Sequence, residues 1–264
     1  MVDIHNHLLP GLDDGAGDLE MSLQMARIAV ADGITRMAST PHASSHHVFD
    51  PERTAASLAQ LRQALEQHTI PLQVVTGCDF HINYDNLQDA IAHPRRYTLN
   101  NTEYLLIELP DHAIPPNLDQ ILYDLRLAGM TPILTHPERN PRLQQDPTPL
   151  GNWLRNGILI QVTASSVTGE RGKPAQRLAH QMLRDRWVHF LASDAHDVVR
   201  RPPGMSQARA WVAAECDADY ATLLTETNPA AVLDGLSLSA QPEPRNLYEE
   251  ENPDLPWWKR LFSR

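Results

Sequence analysis

Short apolar runs punctuate the chain at Val2–His5, Ile34–Thr40, Leu72–Asp79, Tyr104–Leu109, Thr131–Thr135, Ile158–Thr163 and Val188–Ser193. Several are almost unbroken in Val, Ile and Leu, as strands buried on both faces require. Amphipathic helical stretches lie between them. Asp18 reads as an N-cap, with Leu19, Leu23, Ala26 and Val30 at helical spacing and Gly33 as the stop. Asp50-Pro51 pairs an N-cap with proline in the first turn, ahead of Leu58, Leu61 and Leu65. Ala175, Leu178, Ala179, Met182 and Leu183 keep a helical rhythm too. Strand and helix alternate throughout, which demands a parallel sheet with right-handed crossovers. No Gly-x-Gly-x-x-Gly is present. The expected fold is therefore α/β, a closed or nearly closed barrel rather than a dinucleotide-binding sheet.

The chain has 264 residues, enough for one barrel. Residues 1–236 are expected to form it, with C-terminal helices over 204–236. From 237 the composition shifts to Gln241-Pro242-Glu243-Pro244, then Glu249-Glu250-Glu251, then the basic-aromatic Trp257-Trp258-Lys259-Arg260-Leu261-Phe262. Residues 237–264 read as a linker and a flexible tail. The tail either folds back on the barrel or makes a weak contact with a partner or membrane surface. The formal net charge is −11, which argues against nucleic acid as a partner. Cys78 and Cys216 are the two cysteines, and neither has an Arg six residues on. A thiolate phosphate-binding loop is thereby excluded. No signal peptide or membrane-spanning stretch is seen, and a cytoplasmic location is expected.

The chemistry sits where the apolar runs end. His5 closes the first, His7 stands two residues on, and His42 follows the second in Thr40-Pro41-His42. Asp79 closes the third, Glu108 the fourth, and His136 follows the fifth. Asp194 and His196 follow the seventh, and Asp14 lies on the loop after the first. In a parallel barrel these positions open on one face, where active sites are built. Four carboxylates brought together repel one another and lose solvation unless cations neutralise them. Mixed imidazole and carboxylate ligands suit Zn, Mn or Fe rather than Ca. Arg139 shares a loop with His136, and Arg201 follows the Asp-Ala-His segment. Each is a candidate for a phosphoryl group, because guanidinium offers planar paired donors. His81, near Asp79, is a candidate only for support of a ligand.

The segments Asp3-Ile4-His5-Asn6-His7, Asp13-Asp14-Gly15, Thr40-Pro41-His42, Ile107-Glu108-Leu109, His136-Pro137-Glu138-Arg139 and Ser193-Asp194-Ala195-His196 resemble the polymerase-and-histidinol-phosphatase (PHP) superfamily. They are most similar to its bacterial tyrosine-phosphatase branch, which acts on the kinases of capsule and exopolysaccharide synthesis. The resemblance runs over roughly residues 1–235. It implies a distorted (β/α)7 barrel and three divalent metal ions. One would take His5, His7, Asp79 and Asp194, with Asp79 bridging to a second held with Glu108 and His136. The third would take Asp14, His42 and His196. Where this chain has Asp79 the family usually has Glu, one methylene longer.

The resemblance implies metal-dependent hydrolysis of phosphotyrosine on protein, with an autophosphorylating bacterial tyrosine kinase as the substrate. Two alternatives remain open. One is a phosphatase for a small molecule such as histidinol phosphate. The other is a non-catalytic module that binds a kinase.

Overall fold

A computed structural model describes residues 1–111 and 113–247. The basic-aromatic segment 257–262 lies outside these residues. Parallel strands and helices alternate in chain order. β1 (Val2–Asn6), α1 (Leu19–Ala31), β2 (Arg36–Ser39), β3 (His42–Ala43), α2 (Pro51–Gln67), β4 (Gln73–Thr76), β5 (Asp79–His81) and α3 (Tyr84–Ala92) form the first half. β6 (Tyr104–Glu108), α4 (Leu118–Leu127), β7 (Thr131–Thr135), α5 (Pro141–Gln145), α6 (Thr148–Arg155), β8 (Leu159–Thr163), α7 (Ala164–Thr168), α8 (Lys173–Arg184) and β9 (Phe190–Ala192) follow. Helices α9 (Ser206–Glu215), α10 (Ala218–Thr222) and α11 (Asn228–Leu233) end the body, with a π-helical turn at Leu223–Thr227 before α11.

The strands form two parallel sheets rather than one: β1-β2-β4 and β3-β5-β6-β7-β8-β9. A closed seven-stranded barrel is therefore not what the pairing shows. The run Ile34–Thr40 gives β2, and past Pro41 the chain adds β3 beyond the end of the run, whereas the run Leu72–Asp79 breaks inside. Leu72–Asp79 gives β4 and then, past Gly77, β5. Proline has no N–H for a ladder. A Cβ on Gly77 would press on the Leu99 side chain and crowd Thr40, so the chain passes close to both there. The two sheets meet again at the opposite edge, where Asn6 bridges Ala195 and Asp194 N donates to His5 O at 2.8 Å.

Burial follows the strand alternation. Met37, Val74, Leu105, Ile107, Leu134, Ile160 and Leu191 face outward into the main core under the helices. Ile4, Ala38, Val75, Leu106, Ile133 and Phe190 come from strands of both sheets and pack together as an inner layer. Val232 and Leu233 of α11 close that layer. The expected caps are present: Asp18 accepts from Met21 N at 2.8 Å, and Asp50 from Glu52 N at 2.9 Å. Residues 241–247, read as the start of a linker, lie against the body. Trp187 Nε1 donates to Arg245 O at 2.7 Å, and Arg155 donates to Leu247 O at 2.8 Å.

Candidate metal centre

His5 and His7 reach the centre through an irregularity in β1. The register with β2 slips by one residue between Asp3 and Asn6. Ile4 can thus join the inner apolar layer while its neighbour His5 also reaches inward, to Gln161 of β8. Bulges of this kind re-aim side chains beside active sites. His42, expected just after a strand, and Asp79, expected to end one, instead open the short strands β3 and β5, directly opposite one another in register. Glu108 closes β6. His136 and Asp194 follow β7 and β9 with φ of 34° and 51°, left-handed values uncommon outside glycine. Such backbone persists where the surroundings enforce it, often at functional sites.

All nine expected ligands converge. Within overlapping groups, ligand atoms lie no more than 4.8 Å apart: His7, Asp14, His42 and His196; His5, Asp79 and His136; His5, His7 and Asp194; and His42, Asp79, His81 and Glu108. His5 Nε2 is 3.6 Å from Asp79 Oδ2 and 3.5 Å from Asp194 Oδ1. His42 Nε2 and His196 Nε2 lie 3.3 and 3.5 Å from Asp14 Oδ1. His136 Nε2 is 3.5 Å from Glu108 Oε1. His81 is a tenth member that the sequence reading left in support. It touches Glu108 Oε2 directly and lies 3.1 Å from His42 Nδ1.

The donor set fits divalent cations. His5 Nε2, His7 Nε2, His196 Nε2 and Asp79 Oδ1 are buried without hydrogen-bond partners. Buried polar atoms are rarely left so without a reason. The other ring nitrogens are engaged. His5 Nδ1 pairs with Gln161 Oε1 at 2.9 Å, His7 Nδ1 with Asp13 Oδ2 at 2.6 Å, and His196 Nδ1 with Asp194 O at 3.0 Å. Each acceptor fixes the proton on Nδ1 and leaves the Nε2 lone pair aimed at the cluster, the usual support of a metal-binding histidine. Gln161 and Asp13 were missed as such supports.

Charge is unevenly shared among the side chains. Burial would push His5 down, but Asp79 and Asp194 override it and raise it to about 9. Burial and the Asp79 carboxylate raise Glu108 to about 7, against the pull of His81. Burial carries His196 down to about 3, with the charge of His7 adding to it. Arg139 Nη1 and Arg201 Nη2 each donate to Asp194 Oδ2 at 2.6 Å. Both arginines named from the sequence thus stand at the centre.

Gly15 presses against this arrangement. A Cβ there would overlap the His7 backbone oxygen and Cβ. Gly15→Ala is therefore expected to displace His7 and the Asp14 loop and to lower bound metal by at least one ion per chain. Elemental analysis of the folded variant checks this, and unchanged content would contradict it.

Known proteins share this architecture. The family described as "Capsular polysaccharide synthesis, CpsB/CapC" matches residues 1–234. The tyrosine-protein phosphatase YwqE of Bacillus subtilis (strain 168) is 36% identical over 244 residues, covering 92% of this chain and 95% of the relative. The tyrosine-protein phosphatase CpsB of Streptococcus pneumoniae is 27% identical, covering 88% of this chain and 98% of the relative. A solved structure from work on those two proteins, described as unique metal-dependent tyrosine phosphatases, superposes with a TM-score of 0.85 at 33% identity, covering 93% of this chain and 98% of the other. On the profile match and the extent of these likenesses, the chain belongs to the CpsB/CapC family of capsular polysaccharide synthesis.

Proposed function

We propose that this chain is a metal-dependent phosphatase that hydrolyses phosphotyrosine on protein. Its substrate would be an autophosphorylating bacterial tyrosine kinase of capsule or exopolysaccharide synthesis. One observation carries the reading: nine imidazoles and carboxylates from distant segments converge with buried lone pairs free of hydrogen bonds. The relatives' names supply the substrate class.

Three divalent ions, Mn, Fe or Zn, would be held by His5, His7, Asp14, His42, Asp79, Glu108, His136, Asp194 and His196. His81 stands close enough to Glu108 and His42 to share in the binding. When bound, the ions would supply Lewis acidity toward phosphoryl oxygens and acidify a water for in-line attack. The chain's own part is orientation and charge. Arg139 and Arg201 are anchored on one oxygen of Asp194, and their remaining terminal N–H groups, which make no other hydrogen bond among the described residues, would turn to the phosphoryl oxygens. Asp13 and Gln161 keep the imidazoles in one tautomer. The tyrosine leaving group has a pKa near 10, so a strong general acid is less needed than for an alkyl ester.

The inner layer drawn from both sheets and the Asn6–Ala195 bridge support reading the two sheets as one distorted (β/α)7 barrel. The barrel and C-terminal helices would span 1–236, with 237–264 appended. No helix among the described residues is long and apolar enough to cross a membrane. A cytoplasmic location is part of the proposal.

Elemental analysis of the purified protein, paired with turnover of a phosphotyrosine peptide and of histidinol phosphate, tests the reading. Peptide hydrolysis lost to chelator and restored by Mn, Zn or Fe is expected. Preferential turnover of histidinol phosphate would replace the protein substrate with a metabolite. Partner binding without metal or turnover would make the chain a binding module.

A further inference from the structure

Asp3 stands where the first and last strands meet. It is fully buried and belongs to none of the candidate ligand groups. Four donors converge on its carboxylate. Oδ1 accepts from Ser193 N at 3.1 Å and from His5 N at 3.2 Å. Oδ2 accepts from Ser193 Oγ at 2.6 Å and from Asn6 Nδ2 at 3.4 Å. A carboxylate offers both oxygens as acceptors, whereas an amide of the same length would turn N–H groups on one pair of these donors. Burial of the acid is tolerated because both oxygens are satisfied.

These bonds act on two separate segments of the centre. A side chain that accepts from its own strand two residues on competes with the strand ladder. The His5 N–H that Asp3 takes lies within the stretch where β1 slips against β2, between Asp3 and Asn6. Asp3 thus supplies a cause for the irregularity that lets His5 reach Gln161. On the other segment, Ser193 immediately precedes Asp194 and its left-handed φ of 51°. Asp3 grips both the N–H and the hydroxyl of Ser193, and that hydroxyl accepts in turn from Ala195 N at 3.2 Å. Asp194 is thereby held from the residues on both sides of it. The backbone completes the junction: Asp194 N donates to His5 O and His7 N to Ala195 O, each at 2.8 Å. His5, His7 and Asp194 form one ligand group, drawn from these two segments alone.

We infer that Asp3 is a positioning residue that sets the β1 irregularity and the Asp194 turn together, and so fixes the spacing of His5, His7 and Asp194 before an ion binds. The role rests on the metal-centre reading above and deepens it.

The test compares the full chain, stripped by chelator, with Asp3→Ala, Asp3→Asn and Leu61→Ala. Leu61 is a buried core residue of α2, and its truncation shows what lost stability does by itself. Mn uptake is read directly from the loss of the free-ion signal in electron paramagnetic resonance, well below each melting temperature. Asp3→Ala is expected to bind Mn about tenfold more weakly than the unaltered chain, the scale usual for residues that orient metal ligands. Asp3→Asn keeps an oxygen for one pair of donors and is expected to fall between the two. Leu61→Ala is expected to bind Mn as the unaltered chain does. Hydrogen exchange of the metal-free proteins gives a second readout. In Asp3→Ala the amides of 5–7 and 194–196 should exchange about tenfold faster together, and in Leu61→Ala they should not. Should Asp3→Ala fail to fold, Asp3→Asn carries the same comparison. Mn affinity equal to that of the unaltered chain, or a loss matched by Leu61→Ala, overturns the role. If the unaltered chain takes up no Mn, exchange decides the role by itself: faster exchange at both segments upholds it and unchanged exchange overturns it. Elemental analysis after loading with Zn or Fe then decides the metal centre separately.

Discussion

Asp194→Ala is expected to lower kcat/KM on a phosphotyrosine peptide by at least about a thousandfold, or ~4 kcal/mol of transition-state stabilisation. Asp194 performs two tasks at once. Its Oδ1 lies 3.5 and 3.6 Å from the free nitrogens of His5 and His7. Its Oδ2 accepts from both Arg139 and Arg201. Burial opposes its charge, yet His5, His136 and the two arginines hold it well below the usual carboxylate range. Truncation removes a ligand and leaves two partly buried guanidiniums without their counter-charge beside the remaining imidazoles. Breaking a buried pair by removing one partner is strongly destabilising, and the freed positive charge repels incoming cations. Metal content should therefore fall together with turnover. Circular dichroism identifies the variant that remains folded. Turnover within tenfold of the unaltered chain in that folded protein would show that the chemistry does not run through this centre.

The position of Asp194 was legible because an apolar run ends just before it. His136 likewise follows an apolar run, and Glu108 stands as the carboxylate at the end of its strand, one residue inside its run. Legibility failed where a strand breaks. Leu72–Asp79 looks continuous, and the break past Gly77 falls where Leu99, more than twenty positions away, lies close. Taking Asp79 as a strand end put His81 on a loop. In fact Asp79 opens β5, and residues two apart on a strand share a face, which brings His81 to Glu108. Asp13 and Gln161 act through partners that only the folded chain brings to them. Gln161 in particular sits inside an apolar run, 156 positions from His5.

Removal of the metal ions is expected to reverse the chain's response to alkali. Without ions, the carboxylates of the cluster are compensated by protons on imidazole. His5 is raised to about 9 by Asp79 and Asp194 against its burial. His42, likewise opposed by burial, is raised to about 11 by Asp14 and Asp79. In the unfolded chain both return to about 6.5. A folded value above the unfolded one means that the native state holds the extra proton. Its contribution is therefore complete below about pH 6.5 and is lost as pH rises toward the folded value. Between pH 6.5 and 9, His5 alone accounts for about 3 kcal/mol of lost stability. Ions need neutral imidazoles, so protons compete with them and rising pH favours the loaded protein. The difference in melting temperature between loaded and chelated protein should thus widen by about 10 °C over that interval, at roughly 2–4 °C per kcal/mol for a domain of this size. Scanning calorimetry with and without chelator, at pH 6.5 and pH 9, measures it. A gap that stays constant or narrows would mean that the ions do not displace protons from these histidines, and the metal centre would have to be sought elsewhere in the fold.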